Sequence, residues 1–416
     1  MPSTIKDVSA RKVLDSRGNW TIEIDVVTPS GFGRCAAPSG ASTGKFEVQS
    51  YPEGGVDEAV RKVQETVAPE IVGMNAEEQE AIDSVLKDVD GTDNFSNIGG
   101  NTAVAVSLAV AKAAASSRGI SLFRYLGGNS DALPYPLGNI IGGGAHASNA
   151  TDIQEFLVIP TGASDIRQAL WTNSEVHRRV KDELSARGNT NSLGKGDEGA
   201  WAPSIGDEKA LDVLARVTAE VGDELGIETR LGVDVASSEM WDPDRKRYVY
   251  QREGVERTRE EQVEHILGLI EMYDLYYVED PLEEGDFKGF AEVTKCSKPL
   301  ICGDDLYVTN IKRIEKGVKA GSSRAVLIKP NQIGTLTDTF KAINVANKNS
   351  LATVFSHRSG ETSDDTIAHL AVAFGCPIIK TGVVGGERVV KLNELIRIEE
   401  ELGRRARMAP LPLRRK

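Results

Sequence analysis

The feature that most constrains this sequence is a pattern that recurs through its second half: a short apolar run that stops at a charged or polar residue. In residues 324–335 (RAVLIKPNQIGT), the apolar run of residues 325–328 stops at Lys329, and Pro330 follows. Such a run predicts a strand buried on both faces, as in a parallel sheet. Because proline cannot extend a central strand, we expect Lys329 where the strand leaves the sheet.

Five further segments repeat this pattern, and each carries polar side chains at the end of its predicted strand. They are residues 230–236 with Asp234, 274–281 with Glu279, 298–305 with Asp304, 351–361 with His357, Arg358 and Ser359, and 376–382 with Lys380. The carboxyl ends of barrel strands form one mouth, where α/β barrels keep their chemistry. The pattern therefore predicts an α/β barrel with six strand ends that carry chemistry.

The chain is long enough for a second domain, since 416 residues exceed the roughly 250 of a barrel. Residues 5–15, 20–28 and 33–37 alternate like antiparallel strands, and helical spacing follows at 56–89 and 101–117. Residues 126–136 (LGGNSDALPYP) are dense in glycine and proline and indicate a boundary. We expect an α+β domain at residues 1–128 and the barrel domain at 129–416.

Composition excludes several classes of protein. A net charge of −13 and a pI near 5.1 argue against a nucleic-acid or membrane surface, which would need excess positive charge. The N-terminus lacks the apolar segment of a signal peptide, and no apolar run approaches about 18 residues. We therefore expect a soluble, cytoplasmic protein without a membrane span. The basic tail, residues 404–416, is expected to be solvated.

The residue types at the predicted mouth suggest both a base and a metal site. Lys329 would lose solvation at the barrel rim, and a second cation nearby would lower its pKa towards use as a base. Asp234, Glu279 and Asp304 would repel one another unless they bind a hard cation, and oxygen-only ligands suit Mg²⁺. Glu198, between glycines in residues 193–203, fits either a surface turn or a catalytic loop.

Three histidines lie in predicted helices rather than at strand ends: His177, His265 and His369. Histidines on helices usually pack or lie at the surface, so we expect no functional role for them.

Nine short motifs occur along the chain in this order: DSRGN, SGASTG, GGAH, GDEG, VEDP, GDDL, KPNQIGT, SHRSGET and KTG. With these motifs in this order, the chain resembles the enolase family along essentially its whole length. The resemblance implies an N-terminal α+β capping domain on a (β/α)8-like barrel whose opening strands are not all parallel. It also implies a homodimer or an assembly of dimers.

The resemblance implies a magnesium-dependent, reversible dehydration of 2-phosphoglycerate to phosphoenolpyruvate. Lys329 would be the base at C2, and Glu198 the general acid to the 3-hydroxyl, which requires Glu198 to hold a proton. Two Mg²⁺ ions are implied per active site, one bound by Asp234, Glu279 and Asp304, and the second bound with substrate and Ser42. The implied substrate-binding residues are Gln154, His146, Glu155, His357, Arg358, Ser359, Lys380 and Ser42, with Glu155 also supporting the acid.

Two other functions stay open at this point. Another lyase or isomerase of the enolase superfamily, such as a racemase or cycloisomerase, would keep the metal ligands but need not keep Glu198, SGASTG or SHRSGET. A structural or surface-binding protein on the same scaffold would not need the base, the acid and the metal ligands together. The chain departs from the family pattern at Trp20, Phe95, Ser148, Ala200, Met240 and Trp241, which bears on loop mobility and rate rather than reaction class.

Overall fold

The structure is a computed structural model that describes residues 3–41, 44–147, 150–186 and 193–412. It opens with an antiparallel sheet in the order β1-β2-β3. The strands are β1 (Asp7–Leu14), β2 (Trp20–Val27) and β3 (Phe32–Ala36). The helices that follow are α1 (Gly55–Lys62), α2 (Ala68–Ile71), α3 (Gln79–Asp90), α4 (Gly100–Ser117) and α5 (Leu122–Gly127), with a π-helical turn at Val63–Val67. The predicted order of strands followed by helices is confirmed.

The alanine-rich helix α4 packs directly on the N-terminal sheet. It is buried over most of its length, and its small side chains allow the backbones to approach closely. A Cβ atom at Gly33 in β3 would lie 1.9 Å from the carbonyl oxygen of Ala109 in α4. Only glycine fits at this crossing, so a larger residue would push the helix off the sheet.

A closed barrel follows in the described part of the chain. Its strands are β5 (Tyr135–Gly142), β6 (Glu155–Ile159), β9 (Arg230–Asp234), β13 (Tyr277–Glu279), β14 (Leu300–Gly303), β15 (Ala325–Ile328), β16 (Ala352–Ser356) and β17 (Ile378–Gly382). They pair in that order, and β17 closes the barrel by pairing with β5. The pairs β5–β6 and β6–β9 are antiparallel and the other pairs are parallel, which confirms the predicted fold class.

Helices surround the barrel, and the remaining strands are short and lie outside the eight barrel strands. The helices are α6 (Ile166–Ala186), α7 (Asp207–Leu225), α8 (Ser237–Met240), α9 (Arg259–Tyr273), α10 (Phe287–Cys296), α11 (Ile311–Ala320), α12 (Leu336–Lys348), α13 (Thr366–Ala373) and α14 (Gly386–Leu402). The short strands are β4 (Ala132–Leu133), β7 (Gly194–Lys195), β8 (Trp201–Ala202), β10 (Trp241–Asp242), β11 (Arg247–Tyr250), β12 (Val255–Arg257) and β18 (Arg407–Met408). Within residues 3–41, 44–147, 150–186 and 193–412, no helix has the length and apolar character needed to cross a membrane.

The expectation of a solvated C-terminal tail is wrong for its first part. Strand β18 pairs in parallel with β4, and the carbonyl of Leu133 accepts a hydrogen bond from the amide of Ala409. The tail is held because its backbone pairs with the segment that enters the barrel, a contact that residue composition alone does not reveal.

The N-terminal region reaches the barrel mouth through backbone pairing. Ser39 and Gly360 exchange hydrogen bonds, with N···O distances of 2.7 and 2.8 Å. The amide of Val48 donates to the carbonyl of Gln332, just beyond Lys329. These bonds place residues that follow β3 beside the strand ends of the barrel.

Candidate active site

Side chains alternate along each barrel strand between the barrel interior and the surrounding helices. In β15, Ala325 and Leu327 belong to the interior apolar cluster, whereas Val326 and Ile328 belong to the larger cluster that includes the helices. Because the side-chain period of a strand is two residues, Lys329 lies on the same interior side as Leu327, two residues before it. The same two-residue spacing relates Tyr277 to Glu279, Cys302 to Asp304, and Ile378 to Lys380. The strand period therefore aims these side chains into the mouth.

The predicted site residues meet in one small cleft at the barrel mouth. Its lining includes His146, Gln154, Glu155, Glu198, Asp234, Asp304, Lys329, His357, Arg358, Ser359 and Lys380. Glu279 is fully buried and in contact with Lys380, and Ser42 lies outside the described residues. Segments more than 200 residues apart in sequence thus converge on one cavity.

The ammonium of Lys380 lies among three buried carboxylates. Its Nζ is 2.9 Å from Asp234 Oδ2, 2.9 Å from Glu279 Oε2 and 3.2 Å from Glu155 Oε1. Burial lowers the pKa of Lys380, but the three negative charges outweigh it and hold this pKa well above its usual range. Lys380 is therefore a permanent cation that the carboxylate cluster requires.

Lys329 forms an ion pair with Asp304, and this pair contradicts one expectation from the sequence. Its Nζ donates to Asp304 Oδ2, while Gln332 Nε2 donates to Asp304 Oδ1 at 2.9 Å. Burial and the nearby Arg358 and Lys380 lower the pKa of Lys329, but the Asp304 charge outweighs them, so the pKa is raised. The predicted lowering of this pKa is wrong because a carboxylate, rather than a second cation, is the nearest charge.

The predicted magnesium ligands lie at adjacent strand ends but are held in two groups. Asp234 and Glu279 are register partners on β9 and β13 and share Lys380. Asp304 lies with Asp280 and Asp305, with one ligand atom of each within 4.8 Å of the others. The donors are all carboxylate oxygens, and Glu279 Oε1 is buried without a hydrogen-bond partner in the described part of the chain. This donor set fits a hard cation such as Mg²⁺.

Glu198 lies in the turn between β7 and β8 and is buried among hydrogen-bond donors. Asn139 Nδ2 donates to its Oε2 at 2.9 Å, His357 Nε2 lies 3.2 Å from the same oxygen, and His146 Nε2 lies 3.7 Å from Oε1. Burial raises the pKa of Glu198, but the two histidines outweigh it and lower this pKa well below its usual range. Glu198 is thus ionised here, contrary to the expectation that it holds a proton.

The protonation state of His357 follows from its burial and from its contact with Arg388. Burial lowers the pKa of His357 to about 4, so the ring is neutral at pH 7. The guanidinium of Arg388 can only donate, and its Nη1 lies 2.8 Å from His357 Nδ1, which must therefore accept. The ring proton is left on Nε2, facing Glu198. Nε2 lies close to the Glu198 carboxylate but without the alignment of a hydrogen bond.

Glu155 shares His146 with Glu198. His146 Nδ1 lies 3.8 Å from Glu155 Oε1, and the three residues present ligand atoms within 4.8 Å of one another. Burial and the negative charge of Glu198 raise the pKa of Glu155. Two neighbouring buried carboxyl groups thus have pKa values displaced in opposite directions, which places a proton on Glu155 more readily than on Glu198.

Arg358 is held by a carboxylate that the sequence reasoning missed. Its Nη1 and Nη2 each donate to Glu47 at 3.1 Å, and Nη1 also donates to Asn331 Oδ1 at 2.8 Å. Glu47 also accepts from the amide of Gly44 at 3.1 Å. Glu47 and Arg358 are 311 residues apart, and no spacing pattern connects them.

Arg388 and Asn139 were also missed, for different reasons. Arg388 is fully buried at the start of α14, where a sequence pattern suggests an ordinary helix residue, yet it donates to the carbonyl of Ser359 at 2.6 Å. Asn139 lies inside the apolar strand β5, and a polar residue in such a run is the one signal that could have identified it.

Of the other predicted substrate residues, Gln154 and Ser359 present polar atoms to the cleft. Gln154 Nε2 donates to Asp234 Oδ2 at 3.3 Å. Its Oε1 and the hydroxyl of Ser359 are buried, and neither has a hydrogen-bond partner in residues 3–41, 44–147, 150–186 and 193–412. Such atoms favour a polar ligand, because unpaired buried polar atoms are costly.

Comparison with known proteins agrees with this geometry. The family model described as the enolase N-terminal domain matches residues 5–126, and the one described as the enolase C-terminal TIM barrel domain matches residues 130–415. A protein named enolase from Methanothermobacter thermautotrophicus is 55% identical over 416 residues, 99% of this chain and 100% of that protein. Another from Methanosphaera stadtmanae is 58% identical over 406 residues, 97% of this chain and 98% of that protein. The chain belongs to the enolase family.

Proposed function

We propose how individual residues of this chain carry out the enolase reaction, the reversible dehydration of 2-phosphoglycerate to phosphoenolpyruvate in glycolysis and gluconeogenesis. The reaction belongs to a lyase, and its substrate is a small molecule. The observation that carries the proposal is that Lys329 and Glu198 line one cleft together with Lys380 and Arg358. In this cleft a base, an acid and two further cations surround the same small volume.

Lys329 removes the C2 proton as general base. The C2–H bond breaks, its proton goes to Nζ, and the electron pair adds to the substrate carboxylate, whose charge increases. Lys329 must be neutral beforehand, yet Asp304 keeps it charged. If Asp304 becomes a metal ligand, the positive charges of Arg358 and Lys380 remain, and both lower the pKa of Lys329. The charged lysine is then a resting form of the base.

Glu198 delivers a proton to the leaving 3-hydroxyl, so that the C3–O bond breaks and water departs. Because Glu198 is ionised in this arrangement, it must acquire its proton when the anionic substrate enters. Glu155 is the nearest carboxyl group with a raised pKa, and His146 lies between the two. This arrangement supports a role for Glu155 as the source of the proton that Glu198 acquires, with His146 passing the proton between them.

The remaining cleft residues bind the substrate. Arg358 presents a planar guanidinium suited to a phosphate, and the Ser359 hydroxyl is buried with its hydrogen-bonding capacity available to a ligand. Lys380 faces the charge that develops on the substrate carboxylate. The remaining contacts are assigned to His146, Gln154 and His357.

The family is magnesium-dependent, and the all-oxygen donor set fits that ion. We assign one Mg²⁺ to Asp234, Glu279 and Asp304, and a second, bound with substrate, to a site that includes Ser42. Bound magnesium supplies positive charge against the doubly charged carboxylate that proton abstraction creates. A different carboxylate substrate is not favoured, since curated relatives over nearly the full chain are named enolase.

The cellular setting and assembly follow from the same assignment. We place the reaction in the cytoplasm, propose a homodimer or an assembly of dimers, and divide the chain into a capping domain at 1–128 and a barrel domain at 129–416. Leu14 and Trp20, register partners on β1 and β2 that are both more than half exposed, support burial against a second copy. Light scattering that gave the mass of a single 44.8 kDa chain at micromolar concentration would contradict the assembly.

The activity is tested by following the absorbance of the enol product with 2-phosphoglycerate as substrate. The rate should be high with Mg²⁺, vanish with EDTA and return when Mg²⁺ is added back. Turnover in the chelated enzyme, or no product with saturating Mg²⁺, would overturn the proposal.

A further inference from the structure

The turn that carries Glu198 rests on an aromatic cluster outside the cleft. His177 in α6 and Trp201 in β8 are both buried, and neither lines the cavity. Their rings stack with centroids 4.9 Å apart, and Lys195 Nζ lies 4.8 Å from the Trp201 ring. Trp201 Nε1 donates to the carbonyl of His177 at 2.8 Å, which ties the cluster to the backbone of α6.

His177 also contacts the backbone next to Glu198, the proposed acid. Its Nε2 lies 3.0 Å from the carbonyl oxygen of Gly199, the residue after Glu198. A carbonyl can only accept, so the ring proton must be on Nε2. Burial lowers the pKa of His177 to about 4, so a neutral imidazole makes this bond at pH 7.

The turn itself has little freedom. Gly199 has a φ of +79°, and a Cβ atom there would lie 2.6 Å from the carbonyl oxygen of Val384. Its amide donates to the carbonyl of Gly196 at 3.0 Å. On the other side of Glu198, Arg388 Nη2 donates to the carbonyl of Asp197 at 3.2 Å. The backbone carbonyls on both sides of Glu198 are therefore held by buried side chains: Arg388 binds that of Asp197, and His177 binds that of Gly199.

We propose that His177 is a positioning residue: through the Gly199 carbonyl, and backed by Trp201, it sets the orientation of the Glu198 carboxyl towards the substrate 3-hydroxyl. This rests on the proposed role of Glu198 as the acid. A displacement of about 1 Å from a reactive geometry can cost about 10²-fold in rate. Because Lys329 lies on a separate strand end, proton abstraction at C2 does not depend on this bond.

The test compares two substitutions of His177, one that removes its N–H donor and one that removes its aromatic ring. His177→Phe keeps the ring that stacks on Trp201 but removes the N–H donor, and His177→Gln keeps an N–H donor without the ring. The matched control is His265→Phe, since His265 is a partly buried histidine on α9, a different helix, and its ring centroid lies 5.6 Å from that of Tyr250.

Two rates are measured on each enzyme with saturating Mg²⁺: exchange of the C2 proton with deuterated solvent, and net dehydration. His177→Phe should lower kcat for dehydration by about 10- to 10²-fold with KM within about twofold and exchange retained. His177→Gln should recover most of the loss, and His265→Phe should match the wild type. Equal loss of exchange and dehydration in His177→Phe, or no loss at all, would overturn the proposal.

A parallel measurement on Glu198→Gln separates this proposal from the one on which it rests. If Glu198→Gln keeps exchange and loses dehydration while His177→Phe behaves like the wild type, the acid assignment stands and the positioning role is wrong. If Glu198→Gln dehydrates normally, the acid assignment itself is wrong. Should His177→Phe unfold below the assay temperature, His177→Leu takes its place as the variant without a donor: loss of dehydration with exchange retained supports the proposal, and equal loss of both rates or no loss overturns it.

Discussion

The two sides of the cleft are built differently. The base side, named for the proposed base Lys329 with its partner Asp304, consists of residues that directly follow strands β15 and β14, so the alternation of the barrel aims them inwards. The acid side, named for the proposed acid Glu198, lies on a turn that receives hydrogen bonds from Asn139 in β5, His177 in α6 and Arg388 in α14. Strand geometry alone places the base, whereas the acid needs a network of side chains. The base side should therefore tolerate changes around it better than the acid side.

The largest effect is expected where both sides depend on the metal. Replacing Asp234, Glu279 or Asp304 by alanine should lower activity by roughly 10³-fold or more while circular dichroism shows the fold retained, because the charge that forms on the substrate loses its counter-charge. EDTA should reproduce the effect on the wild type and Mg²⁺ should reverse it. Activity near the wild-type level in any of the three variants would remove that residue from the metal site.

Lys380 tests how much the carboxylate cluster needs a cation. In metal-free Lys380→Met, three buried carboxylates lose their ammonium, so the free energy of unfolding should fall by about 3 kcal/mol or more in urea titrations. Mg²⁺ should stabilise this variant more than the wild type. The control is Lys112→Met, whose Nζ lies 2.9 Å from Asp364 outside the cleft, and whose loss Mg²⁺ should not repair. Equal magnesium effects on both variants would contradict the assignment.

Arg388→Lys sharpens the difference between the two sides. A single ammonium cannot bind His357 Nδ1 and the carbonyls of Asp197 and Ser359 together, as the guanidinium does. We expect dehydration to slow by roughly 10- to 10²-fold while exchange at C2 changes little. Arg397→Lys, on the exposed face of α14, is the control and should leave both dehydration and exchange unchanged. A fall in exchange equal to that in dehydration would mean that Arg388 serves both sides.

The smallest effect concerns acid pH, because the acid side contains neutral buried histidines. Burial lowers the pKa of His177 from 6.5 to about 4, so the unfolded chain binds more protons between these values and stability is lost as pH falls through this window. This one group should cost about 1 to 2 kcal/mol between pH 7.5 and 5. His177→Phe should show a shallower fall in the free energy of unfolding over that range. An unchanged slope would show that the ring titrates normally in the folded protein.

Sequence reasoning succeeded where local pattern decides the structure. Apolar runs that end at Lys329, Asp304 or Lys380 predict both the strand and the direction of the next side chain, since the strand period is two residues. It failed where charges from distant segments meet. The pKa direction of Lys329 depends on its contact with Asp304, and that of Glu198 on two histidines, and neither contact follows from spacing.

The same limit explains the residues that were missed. Glu47 meets Arg358 across 311 residues, and Arg388 reaches the site from a helix terminus that shows no unusual pattern. The contact of His177 with the Gly199 carbonyl could not be predicted either, because any sequence supplies backbone carbonyls. Only Asn139, a polar residue within a buried strand, left a signal in the sequence.

The central claim, that proton abstraction and proton donation belong to separate sides, is tested most directly by isotope exchange in two variants. Proton NMR in deuterated water follows loss of the C2 proton, and absorbance follows the enol product. Lys329→Ala should lose both exchange and dehydration, by roughly 10²- to 10⁴-fold or more, because the base is absent. Glu198→Gln should lose dehydration but keep exchange. If Lys329→Ala kept exchange, or Glu198→Gln lost exchange and still dehydrated its substrate normally, the assignment of base and acid would be wrong.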